Sequence, residues 1–267
     1  MKTQRRSLEN RTLDYKSFIR QLTSEKIIAD DADELNKIAA AKFVSIAREA
    51  IKKRGKFSVA LAGGSTPKGL YQLLADEKFR SLIDWTKAFF FFGDERNVLP
   101  DDAESNFRMA NENLLKPLEI HTDNIFRWQT ELENAEEIAA DYERKIKEFF
   151  NLSENEFPRF DLILLGMGDD GHTASLFPHT EALNETEKIA VENRVEKLNT
   201  TRLTLTFPTI NNAANVIFLI DGEKKAEVLC EVLTGEIQPE KFPSQNIKPR
   251  NGSLFWILDS DAAQNLE

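Results

Sequence analysis

FSVALAGGSTPKGLYQLL, residues 57–74, passes from a short apolar run through a glycine turn into an amphipathic pattern. The run at 57–62 is strand-sized and almost wholly apolar, as expected of a strand covered on both faces. Gly63 and Gly64 then allow a sharp turn. Thr66 reads as the N-cap of the next helix and Pro67 as its first residue. Leu70, Leu73 and Leu74 mark that helix's buried side.

The alternation continues on either side. Residues 25–29 read as a strand, and Asp30 or Asp31 caps a helix that stops at Gly55. Phe43, Ile46, Ala47, Ala50 and Ile51 share one face of that helix. Residues 88–92, AFFFF, form a strand too continuously apolar for an exposed edge. Helices follow at 106–115 and 135–150, then strands at 160–165, 189–191, 202–207, 216–220 and 254–258. A last helix at 223–233 is stopped by Gly235. Strands alternating with helices predict one α/β domain over 25–267, with a mostly parallel sheet and helices on both faces. Residues 1–24 read as a loosely attached extension.

Composition narrows the function. With 41% hydrophobic and 30% charged residues among 267, the chain can bury a sizeable core. A net charge of −10 argues against nucleic acid or an anionic membrane as the main partner. It leaves room for an anionic small molecule in a local basic pocket. Cys230 is the one cysteine, so no intrachain disulfide is possible; it reads as a small buried side chain. The basic start is not followed by an apolar run, and no apolar stretch is long enough to span a bilayer. The simplest expectation is a soluble cytoplasmic protein, with a monomer favoured.

In open α/β sheets, ligands collect outside the carboxyl ends of the strands. Three polar, glycine-bearing segments follow strand ends here, at 63–67, 93–96 and 166–172. In the first, backbone N–H groups around Gly63 and Gly64, the hydroxyls of Ser65 and Thr66, and a helix N-terminus suit a phosphate. The alternative is an ordinary capped turn. In the second, Asp94 and Arg96 form either a structural ion pair or a functional one. Arg96 offers a donor fork to an oxyanion, and Asp94 could orient an imidazole or a substrate hydroxyl. In the third, His172 can exchange protons near neutral pH. His121 and His179 read as surface residues. Asp169 and Asp170 suit helix capping better than cation binding, and no His or Cys spacing suggests a metal. Arg202 opens a strand. Lys225 sits near a helix N-terminus, where it opposes the dipole at a cost of ~0.3–1 kcal/mol that a docked phosphate would relieve.

Taken in order, these segments resemble the 6-phosphogluconolactonase family. The resemblance rests on LAGGSTP at 61–67, FGDER at 92–96 and LGMGDDGHTASLFP at 165–178. It continues through RLTLT at 202–206, DGEKKA at 221–226, PSQ at 243–245 and GSLFWILD at 252–259. It implies a Rossmann-like α/β fold shared with glucosamine-6-phosphate deaminases and the second step of the oxidative pentose phosphate pathway. The deaminase family, which shares the glycine turn and Asp-Gly-His, is the competing reading. There a glutamate five residues after the histidine partners it; here that position is Phe177. A non-catalytic phosphosugar-binding module is the third reading.

The mechanism expected from this resemblance needs no cofactor and no metal. The phosphate of a phosphosugar lactone sits against Gly64, Ser65 and Thr66, with Lys225 and Arg202 supplying charge. His172 is the general base on water, and Arg96 faces the oxyanion. Asp94 is the first candidate to orient His172, with Asp170 the weaker one. Ser175 lies outside any nucleophile-elbow pattern.

Overall fold

The computed structural model describes residues 24–266. Apart from Ser24, the extension expected at 1–24 lies outside the described residues. Six strands form a wholly parallel sheet: β1 (Ser24–Ala29), β2 (Phe57–Leu61), β3 (Ala88–Phe92), β5 (Leu162–Leu165), β8 (Asn215–Ile220) and β9 (Ser253–Asp259). Their order is β1-β9-β8-β5-β2-β3. The sequence did not announce a second, antiparallel sheet of order β4-β7-β6, built from β4 (Asp94–Arg96), β6 (Ala190–Val195) and β7 (Thr200–Leu205). Gly93 joins the two. Its N–H donates to Leu61 in the parallel sheet, and its carbonyl accepts from Leu205 in the antiparallel one.

Helices cover both faces of the large sheet. Helix α1 (Ala32–Arg54) begins at Asp31, whose side chain accepts from the Glu34 N–H, and ends at Gly55 with φ 75°. Its Phe43 packs edge-on against Phe57 and contacts Trp85, which stacks on Phe90. On the opposite face lies α4 (Ala135–Phe150), whose Phe149 meets Phe89 and Phe91. The period-2 alternation of a strand thus sorts the four phenylalanines of β3 between two helical layers. Helix α2 (Ser65–Ala75) packs on α1. The span expected as one helix at 106–115 is α3 (Asn106–Ala110) followed by a wider π turn over Asn111–Leu115. Phe207 starts a short helix instead of ending a strand. Helix α5 (Ala226–Thr234) is preceded by a 3-10 turn, and Cys230 in it is only half-buried. Among the described residues no helix is long and apolar enough to cross a membrane.

Strand β3 ends the sheet, yet its open side is covered. Phe126 donates to the Phe90 carbonyl at 2.7 Å. The Tyr142 hydroxyl accepts from the Phe92 N–H at 2.7 Å and donates to the Phe92 carbonyl at 3.0 Å. Tyr71 does the same for Ala62 just beyond β2, at 3.0 and 2.8 Å. Both tyrosines are fully buried, and burial pushes both phenols well above their ordinary range. Each satisfies a peptide group at a strand's carboxyl end, where the chain leaves the sheet for a functional loop. Tyr142→Phe should therefore cost about 1–3 kcal/mol, the penalty for stranding buried backbone groups. A lower urea midpoint at unchanged slope is the expected result.

Candidate active site

The sheet's topology opens the site. From β2 the chain moves outward to β3, while β5 lies on the other side of β2. Connections leaving in opposite directions open a crevice at the carboxyl ends of β2 and β5. A cavity of about 360 Å³ occupies that crevice, a size that suits a small ligand.

The loop after β5 carries the imidazole. Gly168 donates to the His172 carbonyl at 2.9 Å, and Gly171 donates to Gly168 at 3.2 Å. Gly171 takes φ 79°, which favours glycine. A Cβ on Gly168 would lie 2.0 Å from His172 Nδ1, so the ring rests directly against that glycine. Ser244 donates to the Gly171 carbonyl through both its N–H and its hydroxyl, at 3.0 and 2.8 Å. No helix follows the loop, so Asp170 caps none. It accepts instead from the His172 N–H at 3.2 Å and meets the ring Nδ1 at 2.6 Å. Burial pushes the Asp170 carboxyl up, but the hydrogen bond and charge of His172, aided by Lys197, hold it well below the usual carboxylate range. A carboxylate only accepts, so Nδ1 carries the proton and Nε2 is left as an acceptor. Phe177 stacks on the ring, centroids 4.0 Å apart and planes 22° apart.

The second sheet contributes the cations. Register pairs Arg96 of β4 with Arg202 of β7. Between Asp94 and Arg96, Glu95 turns inward and is buried. Its carboxylate accepts from the N–H groups of Arg96, Asn106 and Phe107 at 2.7–2.8 Å. Burial pushes its carboxyl up, against the pull of those donors. This anchor ties β4 to the start of α3. Arg96 Nη1 donates to the Glu104 carbonyl at 2.5 Å. Arg202 Nε is buried without a hydrogen-bond partner among the described residues. Burial, then the neighbouring Arg96 charge, hold its guanidinium below its ordinary value. An anion between the two guanidiniums would relieve both effects. Asp94 does not reach the imidazole: its Oδ2 accepts from Ser175 Oγ at 2.7 Å, and Asn106 Nδ2 donates to its carbonyl at 3.0 Å. The expected order of orienting residues is therefore reversed, with Asp170 on the ring.

The turn after β2 differs in detail from expectation. Helix α2 begins two residues earlier, with Gly64 at the N-cap (φ 102°), so Thr66 is already helical. The Thr66 hydroxyl donates to Asp221 at 2.5 Å and is not free for a ligand. Gly63 and Gly64 line the cavity, whereas Ser65 and Thr66 do not. Asn106 packs so closely on Gly63 that a Cβ there would lie 1.8 Å from its Oδ1. Lys225 stands at the N-cap of α5, not a full turn inside it, and its Nζ donates to the Met167 carbonyl at 2.7 Å. Asp259, at the end of β9, accepts from the Gly222 N–H at 3.0 Å and fixes the turn that brings Lys225 in.

The cavity wall thus joins Gly63, Gly64, Asp94, Arg96, Asp170, His172, Arg202 and Lys225. Sequence reading missed Asn106 and Ser175, which hold Asp94, and Lys197 and Leu198, which reach the wall from a hairpin tip. Nothing local marks the last two; only the pairing of β6 with β7 brings them there. His121 and His179 are exposed, as expected.

Comparison with known proteins places the chain in a family. The family described as glucosamine-6-phosphate isomerases/6-phosphogluconolactonase matches residues 30–256. The chain belongs to this family. A 6-phosphogluconolactonase from Synechocystis is 43% identical over 218 residues, covering 82% of this chain and 88% of that protein. A solved 6-phosphogluconolactonase from Trypanosoma cruzi superposes with a TM-score of 0.81 at 32% identity, covering 91% of this chain and 97% of the other. A monomeric glucosamine-6-phosphate deaminase gives a TM-score of 0.74 at 21% identity, covering 90% of this chain and 99% of the other, and so shares the fold.

Within this family fold, His172 depends on the absence of a side chain at residue 168. Gly168→Ala should push the imidazole off Asp170, detectable as a changed His172 ring signal by NMR. Gly166→Ala, whose added Cβ meets nothing within 4 Å, should leave that signal in place. An unaltered ring in the Gly168 variant would contradict the packing argument.

Proposed function

We propose that this chain is a 6-phosphogluconolactonase, opening 6-phospho-D-glucono-1,5-lactone to 6-phospho-D-gluconate with His172 as general base. One observation carries the reading. Asp170 engages Nδ1 of His172, leaving Nε2 as a proton acceptor in the same cavity as Arg96, Arg202 and Lys225. Family membership and the names of the relatives support the same substrate.

In this mechanism Nε2 takes a proton from water as the water oxygen attacks the lactone carbonyl. Asp170 stabilises the imidazolium that forms. The tetrahedral oxyanion faces Arg96, a preorganised donor in a partly buried position. Collapse breaks the bond to the ring oxygen, which takes the proton back from His172. The immediate products are a carboxylic acid, which keeps the second proton of the water, and a free hydroxyl. The acid then ionises and releases that proton to solvent, so protons and electrons balance. A lactone is already an activated ester, and one base with an electrostatic pocket suffices. The phosphate lies against the Gly63–Gly64 backbone and the N-terminus of α2 begun by Ser65, with Arg202 and Lys225 supplying charge. Thr66 supports that turn through Asp221, and Asp94 holds Ser175 near the sugar.

Phe177 weighs against deamination. It stacks on His172 where a partnering carboxylate is expected in the deaminases. The deciding experiment is a pH-stat assay with the phosphorylated lactone, corrected for spontaneous hydrolysis, beside an ammonia assay with glucosamine 6-phosphate. Acid release without ammonia is expected; ammonia release would reverse the assignment, and tight binding without turnover would indicate a binding module. His172→Asn should lower kcat about 100-fold or more, with circular dichroism unchanged. Lys225→Ala should raise KM roughly tenfold or more, in line with loss of a charge-assisted contact, with kcat less affected. An unmoved KM would take the phosphate away from Lys225.

A further inference from the structure

Glu196–Leu198 form the 3-10 turn at the tip of the β6–β7 hairpin, closed by Asn199 in the left-handed region at φ 47°. Asn199 donates to the Glu196 carbonyl at 2.9 Å and accepts from Arg194 at 2.5 Å. The tip therefore has a defined shape. It lays Lys197 and Leu198 along the wall of the cavity, although neither belongs to a loop of the parallel sheet. Lys197 Nζ lies 3.1 Å from Asp170 Oδ2, while the other oxygen of that carboxylate lies 2.6 Å from His172 Nδ1. One carboxylate is shared between an imidazole and an ammonium.

We propose that Lys197 is a positioning residue that sets the proton affinity of His172 by sharing the carboxylate of Asp170. Its link to turnover rests on the lactonase reading; its effect on the imidazole does not. An unshared carboxylate would stabilise the imidazolium with its full charge. The ammonium on the far oxygen offsets part of that field and holds the near oxygen in line with Nδ1. Lys197 is exposed and solvent-screened, but Asp170 and His172 are each only about a fifth to a quarter exposed. The coupling therefore passes through a partly buried carboxylate, where screening is weaker. Other charges face the same cavity: Asp169 from the same loop, Asp94 and Arg96 from β4, Arg202 from β7 and Lys225 from α5. Asp94 is engaged by Ser175 and Lys225 by Met167, and all of these groups persist when Lys197 is replaced.

The sign follows. Removing the ammonium gives His172 the whole carboxylate, so its titration midpoint rises. Less of it is free base at mildly acidic pH, and the acid limb of kcat/KM moves to higher pH. The position of that limb, not the height of the plateau, is the readout.

The test is an NMR titration of the histidine rings in wild type, Lys197→Met and Lys197→Arg. His121 and His179 serve as internal references, and His172→Asn assigns the signal. Lys197→Met should raise the His172 midpoint by about 0.5 unit, the scale of one screened charge at this range. Lys197→Arg should restore it to within about 0.1 unit, comparison at one temperature and salt being assumed. The acid limb of kcat/KM should move with the midpoint. A His172 midpoint that stays put or falls in Lys197→Met, or an arginine variant that behaves like methionine, overturns the proposal. A wild-type enzyme with no lactone turnover but a shifted midpoint in Lys197→Met would sink the lactonase reading alone.

Discussion

Strand β2 lies between β3 and β5, and its two neighbours receive the chain from opposite directions. Everything at the site depends on that arrangement. Loops that leave adjacent strand ends in diverging directions cannot pack against each other, so a crevice remains between them. The Gly63–Gly64 turn forms one wall and the Gly166–His172 loop the other. Because the strand ends there have lost sheet partners, the hydroxyls of Tyr71 and Tyr142 take over the backbone bonds of Ala62 and Phe92. The core and the site are thus joined by hydrogen bonds as well as by packing.

Electrostatics divides the crevice between the two sheets. The parallel sheet supplies the imidazole, its carboxylate partner and Lys225. The antiparallel sheet supplies Arg96 and Arg202, held side by side by strand register. An acidic chain of net charge −10 therefore presents a local cluster of cations where an anionic ligand fits. The half-buried Arg202, with its unpartnered Nε, is kept beside another guanidinium at an electrostatic cost. Asp94, then Glu104 and Glu95, offset part of that cost, while the three backbone bonds of Glu95 keep β4 and α3 in a single frame. Residues beside functional groups, not only the groups themselves, carry the arrangement.

Much of the fold was legible because its signals are local. Asp31 and Gly55 delimit α1 by capping and left-handed geometry, both readable from residue type. Apolar runs such as AFFFF declare a strand between two layers. The antiparallel sheet was not legible as such: β4 is three residues long, and its partners lie more than a hundred residues away in the chain. The site residues carried by glycine-rich strand ends were recognisable for the same local reason. The Thr66 hydroxyl was expected to face a ligand because its partner, Asp221 at a distance of 155 residues, leaves no trace in the turn itself. Asp94 and Asp170 stand in the reverse of the expected order, since both lie near a strand end and only side-chain direction separates them.

Sequence alone determined the α/β class, the family and the strand-to-loop positions, and it singled out His172, Arg96, Arg202 and Lys225, which the structure brings to one cavity. Backbone propensity, periodicity and ordered segments depend on neighbours along the chain, so they survive without coordinates. Only the tertiary structure decided which carboxylate meets the imidazole, which wall each cation occupies, and that Lys197 at a hairpin tip reaches Asp170. Those outcomes depend on strand register and on distances of a few ångströms between residues far apart in the chain, where electrostatic and hydrogen-bond energies change most steeply.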